Sequence, residues 1–241
     1  MQSVLDELVA KLTKALGSNL VSAVLYGSGA TGDHHGNYSD LNILCVLAEI
    51  TPAHLAATSP VFHWWQQKGN PSPLLLTEHE VQTSTDCFAI EFHDIREHHK
   101  LLHGRDVVSS LEVDRTFYRA QVERELRSKL LRLRQKASGV LADATLLRRL
   151  LADSISTFCV LFRHALILHG VEIGPRKREV IQKAAERFGI DPKPFELLLT
   201  LREGQSSKDD TRKADPIVLL PVVLQAIGTV IDAVDGIDRI S

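Results

Sequence analysis

The sequence is poor in the residues that mark several common protein classes. Its three cysteines, Cys45, Cys87 and Cys159, are odd in number and form no C-x-x-C pair. This pattern argues against a disulfide framework and a zinc cluster, and it favours a reducing compartment, which we expect to be the cytoplasm. Aromatic residues make up only 5% of the chain, and the most basic stretch carries no row of them on which bases could stack. A nucleic-acid partner is therefore not favoured.

Charge of one sign and long apolar runs are also lacking. The formal net charge is -2, so no global field favours nucleic acid or an anionic membrane surface. The longest apolar stretch, residues 217–231, contains Pro221 and Gln225 and is shorter than the ~20 residues needed to span a bilayer. The first residues, MQSVLDELVAKL, include acids and no apolar signal core. We expect no membrane partner, and we expect residues 217–231 to form a buried helix.

Charge is distributed unevenly along the chain. Residues 1–105 hold 6 Lys/Arg and 11 Asp/Glu, whereas residues 106–241 hold the other 22 and 19. This shift predicts two units, which the pattern of apolar residues describes further. We expect the α+β class, with a small mixed sheet and flanking helices in residues 1–110 and an all-α helical bundle in residues 111–241.

Apolar periodicity predicts the elements of the first unit. Helices are expected at 3–16, ending at Gly17, and at 52–67, with an interruption near Pro60. Strands are expected at 20–26, 41–47 and 73–77. Residues 87–95, CFAIEFHDI, alternate between apolar and other side chains, which predicts a half-buried strand with Glu91 and His93 on its polar face.

The second unit is predicted to be helical throughout. A long helix over 114–137 has a stripe of Tyr118, Val122, Leu126, Leu130, Leu133 and Ala137. Further helices fit 143–169, 175–188, 192–201 and 216–234. Gly170 suits the end of the first of these and Pro175 the first turn of the second.

Three short stretches carry the candidate chemistry. Gly27-Ser28 ends one strand, and the Gly-rich loop that follows could hold phosphate oxygens with backbone N–H groups and the Ser28 hydroxyl. Asp40 and Asn42 stand at i and i+2 at the start of the next strand, so they share a face. Glu91 would face them from a later strand. Carboxylates that hold Mg²⁺ opposite a phosphate cradle are the apparatus of nucleotidyl transfer.

These residues resemble the nucleotidyltransferase superfamily that includes DNA polymerase β, the aminoglycoside nucleotidyltransferases and the minimal nucleotidyltransferases. The pattern of that superfamily is a strand ending in Gly-Ser, then Asp-apolar-Asp, then a third acid. Here the pattern is matched by LYGS, the spacer 29–39, DLNIL and AIEF. The later stretch LLHGRDVV resembles the strand and turn that close the domain in that superfamily. The resemblance implies Mg²⁺ or Mn²⁺ on Asp40, Asn42 and Glu91. It also implies Glu91 as the general base that activates a hydroxyl acceptor, and a nucleoside triphosphate, ATP above others, bound at Gly27, Ser28 and Gly29.

Two departures from the family pattern bear on activity. Thr31 precedes Gly32 where the family often has an arginine, which removes a phosphate contact. Asn42 replaces the second acid, and an amide brings no charge to a metal. These residues therefore leave two functions open: a nucleotidyltransferase acting on a small molecule or protein, and a catalytically impaired nucleotide-binding or interaction protein that keeps the fold. A third, lesser alternative rests on residues of the second unit, Arg163 and His169.

Several other polar residues could have either a structural or a functional role. His34 and His35 lie in the loop over the predicted site, where we expect them to be solvated. His98, His99 and His103 form another group, but they lack the partner residues of a zinc site, so we expect no zinc there. Arg115 and Arg119 could reach the nucleotide phosphates, although a solvated helix face is the simpler interpretation.

The stretch RHALILH resembles the Arg-spacer-His motif of HEPN ribonucleases through Arg163 and His169. The two residues are six apart, about 120° around a helix, so they share no face unless the helix ends there or a homodimer assembles the site.

Overall fold

The computed structural model describes residues 1–31, 41–204 and 214–239. The chain divides into two compact units, residues 1–117 and 118–241. The first contains a four-stranded sheet with helices, and the described part of the second is helical. The predicted α+β class is therefore confirmed. The sequence placed the boundary after residue 110, and the structure divides the chain between Phe117 and Tyr118.

The sheet of the first unit has the strand order β3-β2-β1-β4. The strands are β1 (Leu20–Tyr26), β2 (Asn42–Leu47), β3 (Leu74–Thr77) and β4 (His99–Gly104). β1 lies antiparallel to both β2 and β4, while β2 and β3 are parallel, so the sheet is mixed. The strands predicted at 20–26, 41–47 and 73–77 are confirmed.

Helices α1 (Gln2–Leu16) and α3 (Pro52–Gln67) pack on one face of the sheet, and the short helix α2 (Ser28–Thr31) follows β1. The predicted interruption of α3 near Pro60 is wrong, because the helix is continuous. Pro60 lacks an N–H and leaves one helical carbonyl without its usual donor. Val61 and Trp65, which follow it, are buried in the core, and their packing holds the helix together across the proline.

Helices α4 (Glu78–Thr83) and α5 (Ala89–Glu97) follow β3 along the chain. Val81 of α4 and Phe92 and Ile95 of α5 join a core cluster with Val24 and Leu44 of the strands, on the face of the sheet away from α1 and α3.

The strand predicted at 87–95 is wrong: residues 89–97 form α5 instead. Ala89, Phe92 and His93 are buried at helical spacing, whereas Phe88, which a strand would have buried, is 50% exposed. On a helix Glu91 and His93 point about 160° apart. Glu91 is therefore exposed while His93, expected at the surface, is only 8% exposed.

The turn after β4 depends on Gly104. Its φ is +76°, and a Cβ there would lie only 2.0 Å from the backbone oxygen of Val21. Only glycine fits both this conformation and this close approach of two strands. Asp106 then folds back to accept from Nε2 of His99 (3.1 Å). Burial alone would raise the pKa of the Asp106 carboxyl, but hydrogen bonds from Ser109, His99 and the Val108 amide outweigh it and hold that pKa well below its usual range.

The second unit contains five α-helices in the part of the chain that the structure describes. They are α6 (Tyr118–Val140), α7 (Ala144–Leu168), α8 (Lys177–Phe188), α9 (Lys193–Arg202) and α10 (Pro216–Asp235). α7 contacts the other four, and the predicted stripe of α6 is buried in full. Gly170 has φ +74° and its N–H donates to the Ile167 carbonyl, so the predicted end of α7 is confirmed. Pro175 lies just before α8 rather than in its first turn.

Two helices of this unit, α7 and α10, are long and apolar enough to cross a membrane by length and mean hydropathy alone. In the structure α7 and α10 pack against each other, and 61% and 39% of their most apolar windows are buried. A helix at the core of a protein passes the same test. The apolar stretch at 217–231 is helical, as predicted, and it buries residues such as Leu219, Val223 and Ile227.

Candidate functional site

The predicted site lies where β1 ends and β2 begins. Tyr26, the last residue of β1, is followed by Gly27 with φ +74°, and α2 starts at the next residue. The N–H of Ala30 donates to the Gly27 carbonyl (3.0 Å). A left-handed residue between a strand and a helix turns the chain sharply, and glycine adopts that conformation without a steric penalty. The Gly27-Ser28 step is thus a tight strand-to-helix turn.

Asn42 lies directly beside this turn. It is the first residue of β2 and pairs with Tyr26 across the sheet. A Cβ built on Gly27 would lie 3.3 Å from Nδ2 of Asn42, so the amide side chain is in contact range of the glycine. Residues two apart on a strand share a face, and Asn42 therefore lies on the face of Leu44 and Val46, which belong to the same core cluster as α5.

Gly29, predicted to bind the triphosphate, makes a close packing contact. A Cβ at this position would lie 3.0 Å from Cδ2 of Leu41 and 3.2 Å from Cδ1 of Leu25. Both distances are shorter than ordinary van der Waals contact. The Cα of Gly29 thus faces the buried leucines of the strands, and the absence of a side chain allows α2 to sit close to the sheet.

Glu91 reaches this region from the first turn of α5. Burial, and then the negative charge of Glu91, raise the pKa of Tyr26 to about 12. The Glu91 carboxylate is therefore within electrostatic range of the phenol that precedes Gly27. The structure places Gly27 beside Asn42 at the end of β1, and the charge of Glu91 acts on the neighbouring Tyr26 from a helix and not from the expected strand.

Several predicted residues fall outside this description. Asp40, His34 and His35 lie outside the described residues, as does Gly32. For Ser28 only the backbone is described. The site is therefore built from Tyr26, Gly27, Asn42 and Glu91.

Tyr26 is the member of this group that the sequence reasoning missed. Its signal was available, because it is the one aromatic residue of β1 and it stands directly before Gly27.

The donor set determines which metal the site could hold. Neither strand that follows β2 supplies an acid, since β3 is LLLT and β4 is HKLLHG. Asn42 offers an amide oxygen and Glu91 one carboxylate, and oxygen ligands of this kind suit Mg²⁺ or Mn²⁺. A magnesium ion bound to a nucleotide needs only one or two protein carboxylates. Asn42 and Glu91 thus offer the type of ligand atom that such an ion prefers, but they carry less negative charge than a set of three acids.

The alternative candidates have structural partners. Arg119, considered for phosphate binding, donates to Glu123 (2.7 Å) within α6. Arg163 is 4% exposed inside α7. His169 stands just after α7, where Arg187 contacts Nδ1 (3.1 Å) and Phe188 packs edge-on against the ring. Burial and then the charge of Arg187 lower the pKa of His169, which favours the neutral ring.

The fold of this chain matches that of a known protein structure, although its sequence matches no known family. No protein-family model matches the chain, and no curated protein does. The crystal structure of spectinomycin adenyltransferase AAD(9) from Enterococcus faecialis, with ATP and spectinomycin, superposes with a TM-score of 0.64. The match covers 97% of this chain and 99% of that chain at 14% sequence identity.

A second solved structure is a toxin-antitoxin with AMP-PNP, at 20% identity over 42% of this chain and 74% of that one. Its TM-score of 0.30 is too low to support an argument. The match to the adenyltransferase, over nearly the full length of both chains, shows that this chain has the nucleotidyltransferase fold.

Proposed function

We propose that the chain is a cytoplasmic nucleotidyltransferase that moves a nucleoside monophosphate from a nucleoside triphosphate, ATP above others, to a hydroxyl group of a small molecule. The observation that supports the proposal is the Gly27 turn beside Asn42, with the charge of Glu91 acting on the adjacent Tyr26, in a protein with this fold. The similar adenyltransferase was crystallised with ATP and spectinomycin, which supports a triphosphate donor and a small hydroxyl-bearing acceptor. This support is an analogy of fold, so the site residues must be tested directly.

Each residue has a role in this proposal. The turn at Gly27 would present the backbone amides of Ser28 and Gly29 to triphosphate oxygens. Asn42 and Glu91, with Asp40, would hold Mg²⁺ or Mn²⁺, which supplies charge stabilisation for the attacking and leaving oxygens. Glu91 accepts the proton of the acceptor hydroxyl. The exposure of Glu91 on α5 keeps its carboxylate accessible to a bound acceptor.

The test uses ATP labelled at the α-phosphate, Mg²⁺ or Mn²⁺, and a panel of hydroxyl-bearing acceptors that includes spectinomycin. Wild type should transfer label and release pyrophosphate, and Glu91→Gln should lower the rate by at least ~10²-fold, the usual contribution of a general base. Glu97→Gln is the matched control, because Glu97 lies on the same helix and pairs with Arg96 (2.8 Å). Equal rates for the Glu91 and Glu97 variants would remove Glu91 from the mechanism.

A second function, nucleotide binding without catalysis, is favoured by one observation. Asn42 supplies a neutral amide where the family pattern has an acid, and neither β3 nor β4 supplies a replacement. Calorimetric titration with ATP and Mg²⁺ separates the two functions when it is combined with the transfer assay. If wild type binds ATP but transfers nothing, while Asn42→Asp does transfer, the chain is a binding protein.

A further inference from the structure

A second candidate binding site lies within the helical unit. A groove of about 290 Å³ runs between α6 and α7. Lys129, Arg132 and Lys136 line it from α6, and their spacing of three and four residues places them on one face of that helix. The apolar side chains of Leu133 and Phe158 also line the groove, and both are almost fully buried. The groove therefore combines a basic wall with an apolar base.

Among the residues that the structure describes, only one of these three basic side chains, Lys129, has a carboxylate partner. Lys129 lies 3.5 Å from Glu125, a partly exposed pair that contributes little. Arg132 and Lys136 are both exposed, and neither pairs with a carboxylate among the residues that the structure describes. Two exposed cations one helical turn apart are suited to a doubly charged anion such as a phosphate group, which arginine can bind through two parallel hydrogen bonds.

The opposite wall, from α7, has a different chemistry. Asp153 is flanked by Arg149 (3.7 Å) and Arg202 (3.6 Å), which offset its charge. The Ser154 hydroxyl donates to the Leu150 carbonyl (2.7 Å), so its oxygen remains available as an acceptor. Thr157 is exposed and adds a hydroxyl that both donates and accepts. This wall is suited to neutral hydroxyl groups more than to an anion.

We propose that this groove binds a small phosphorylated polyol of the sugar-phosphate class. The phosphate contacts Arg132 and Lys136, the hydroxyl groups contact Asp153 and Thr157, and the carbon skeleton covers Phe158. The volume lies at the lower end of the range of small-molecule pockets, which suits a ligand of this size. All of these residues belong to the second unit, so the proposal is independent of the nucleotidyl transfer proposed for the first.

The test titrates the full-length protein with glucose 6-phosphate, ribose 5-phosphate, inorganic phosphate and glucose in a calorimeter. At least one sugar phosphate should bind more tightly than phosphate or glucose, because both walls then contribute. Arg132→Gln and Lys136→Gln should each weaken that binding about tenfold, the worth of one charge-assisted hydrogen bond. Arg134→Gln is the matched control, since Arg134 is exposed on the same helix and does not line the groove. Glu91→Gln should bind the sugar phosphate as wild type does.

Three results would overturn the proposal. One is the absence of binding by either sugar phosphate at about 1 mM, the weak end of specific binding. Another is an equal loss for the Arg134 and Arg132 variants, which would indicate a general electrostatic attraction. The third is tighter binding of a single-stranded RNA oligonucleotide with a steep salt dependence, which would indicate a nucleic-acid surface. Circular dichroism and thermal melts of each variant confirm that the second unit remains folded.

Discussion

Replacement of Gly104 by alanine should destabilise the first unit strongly. Gly104 ends β4 with φ +76°, and an alanine Cβ would lie 2.0 Å from the carbonyl oxygen of Val21 on β1. Gly69, which follows α3, has φ +86° and nothing within 4 Å of an added Cβ. The two glycines share the left-handed conformation and differ in the space around them. Gly69→Ala is thus a matched control, because the difference between the two variants measures the effect of the close approach of β4 to β1.

The expected magnitudes follow from this difference. A left-handed alanine costs roughly 1–2 kcal/mol, which is the whole expected effect at Gly69. At Gly104 the strands must also separate by more than 1 Å, since ordinary C···O contacts are about 3.3 Å or longer. That movement breaks the hydrogen bond from the Arg105 N–H to Val21 and disturbs the packing beneath it. Gly104→Ala should therefore cost about 3–5 kcal/mol of unfolding free energy.

Tryptophan fluorescence during urea unfolding measures this unit alone. The chain has two tryptophans, Trp64 and Trp65, both in the first unit, and Trp65 is fully buried in its core. The urea midpoint should fall much further for Gly104→Ala than for Gly69→Ala at an unchanged slope. Equal losses for the two variants would show that β1 and β4 do not approach each other as described.

Two further predictions concern ionisation. Burial and the charge of Glu91 raise the pKa of Tyr26 to about 12, whereas a tyrosine in the unfolded chain ionises at pH ~10. The contribution of the protonated Tyr26 to folding stability is therefore fully present below pH ~10 and is lost as the pH rises to about 12. Ultraviolet titration should show a late phenolate step that Tyr26→Phe removes, and a step near 10 in its place would contradict the site geometry. Burial raises the pKa of both Cys45 and Cys159 to about 12 and shields their sulfur atoms from reagents. Asp86 also raises the pKa of Cys87, but this thiol is exposed, so only Cys87 should react with a thiol reagent in the native protein, and Cys87→Ser should abolish that reaction.

Residues close together in sequence were the ones that sequence reasoning placed correctly. The Gly27 turn and the strand beginning at Asn42 were predictable because local chemistry determines them: a glycine must follow the strand, and apolar residues must fill the next one. The stripe of α6 was predictable for the same reason, since six buried residues at helical spacing allow one interpretation.

The segment carrying Glu91 was mispredicted because its pattern fits two periods. Phe88, Ile90 and Phe92 alternate as a strand would, yet Ala89, Phe92 and His93 also match a helix. The adjacent HKLLHG took the place beside β1, where Gly104 permits close pairing. Pairing of these distant residues with β1 decided which segment became the strand, and a short stretch of sequence contains no information about such pairing. The continuous α3 has a similar explanation, since burial of Trp65 outweighs a single proline.

The helical location of Glu91 changes what controls the dimensions of the site. Backbone hydrogen bonds fix the spacing of neighbouring strands at nearly the same value in every protein, whereas the separation of a helix from a sheet depends on the volume of the side chains between them. Here that layer includes Phe92 and Ile95. Relatives of this protein could therefore adjust the distance from Glu91 to Asn42 through core substitutions alone, without altering any residue that touches a ligand.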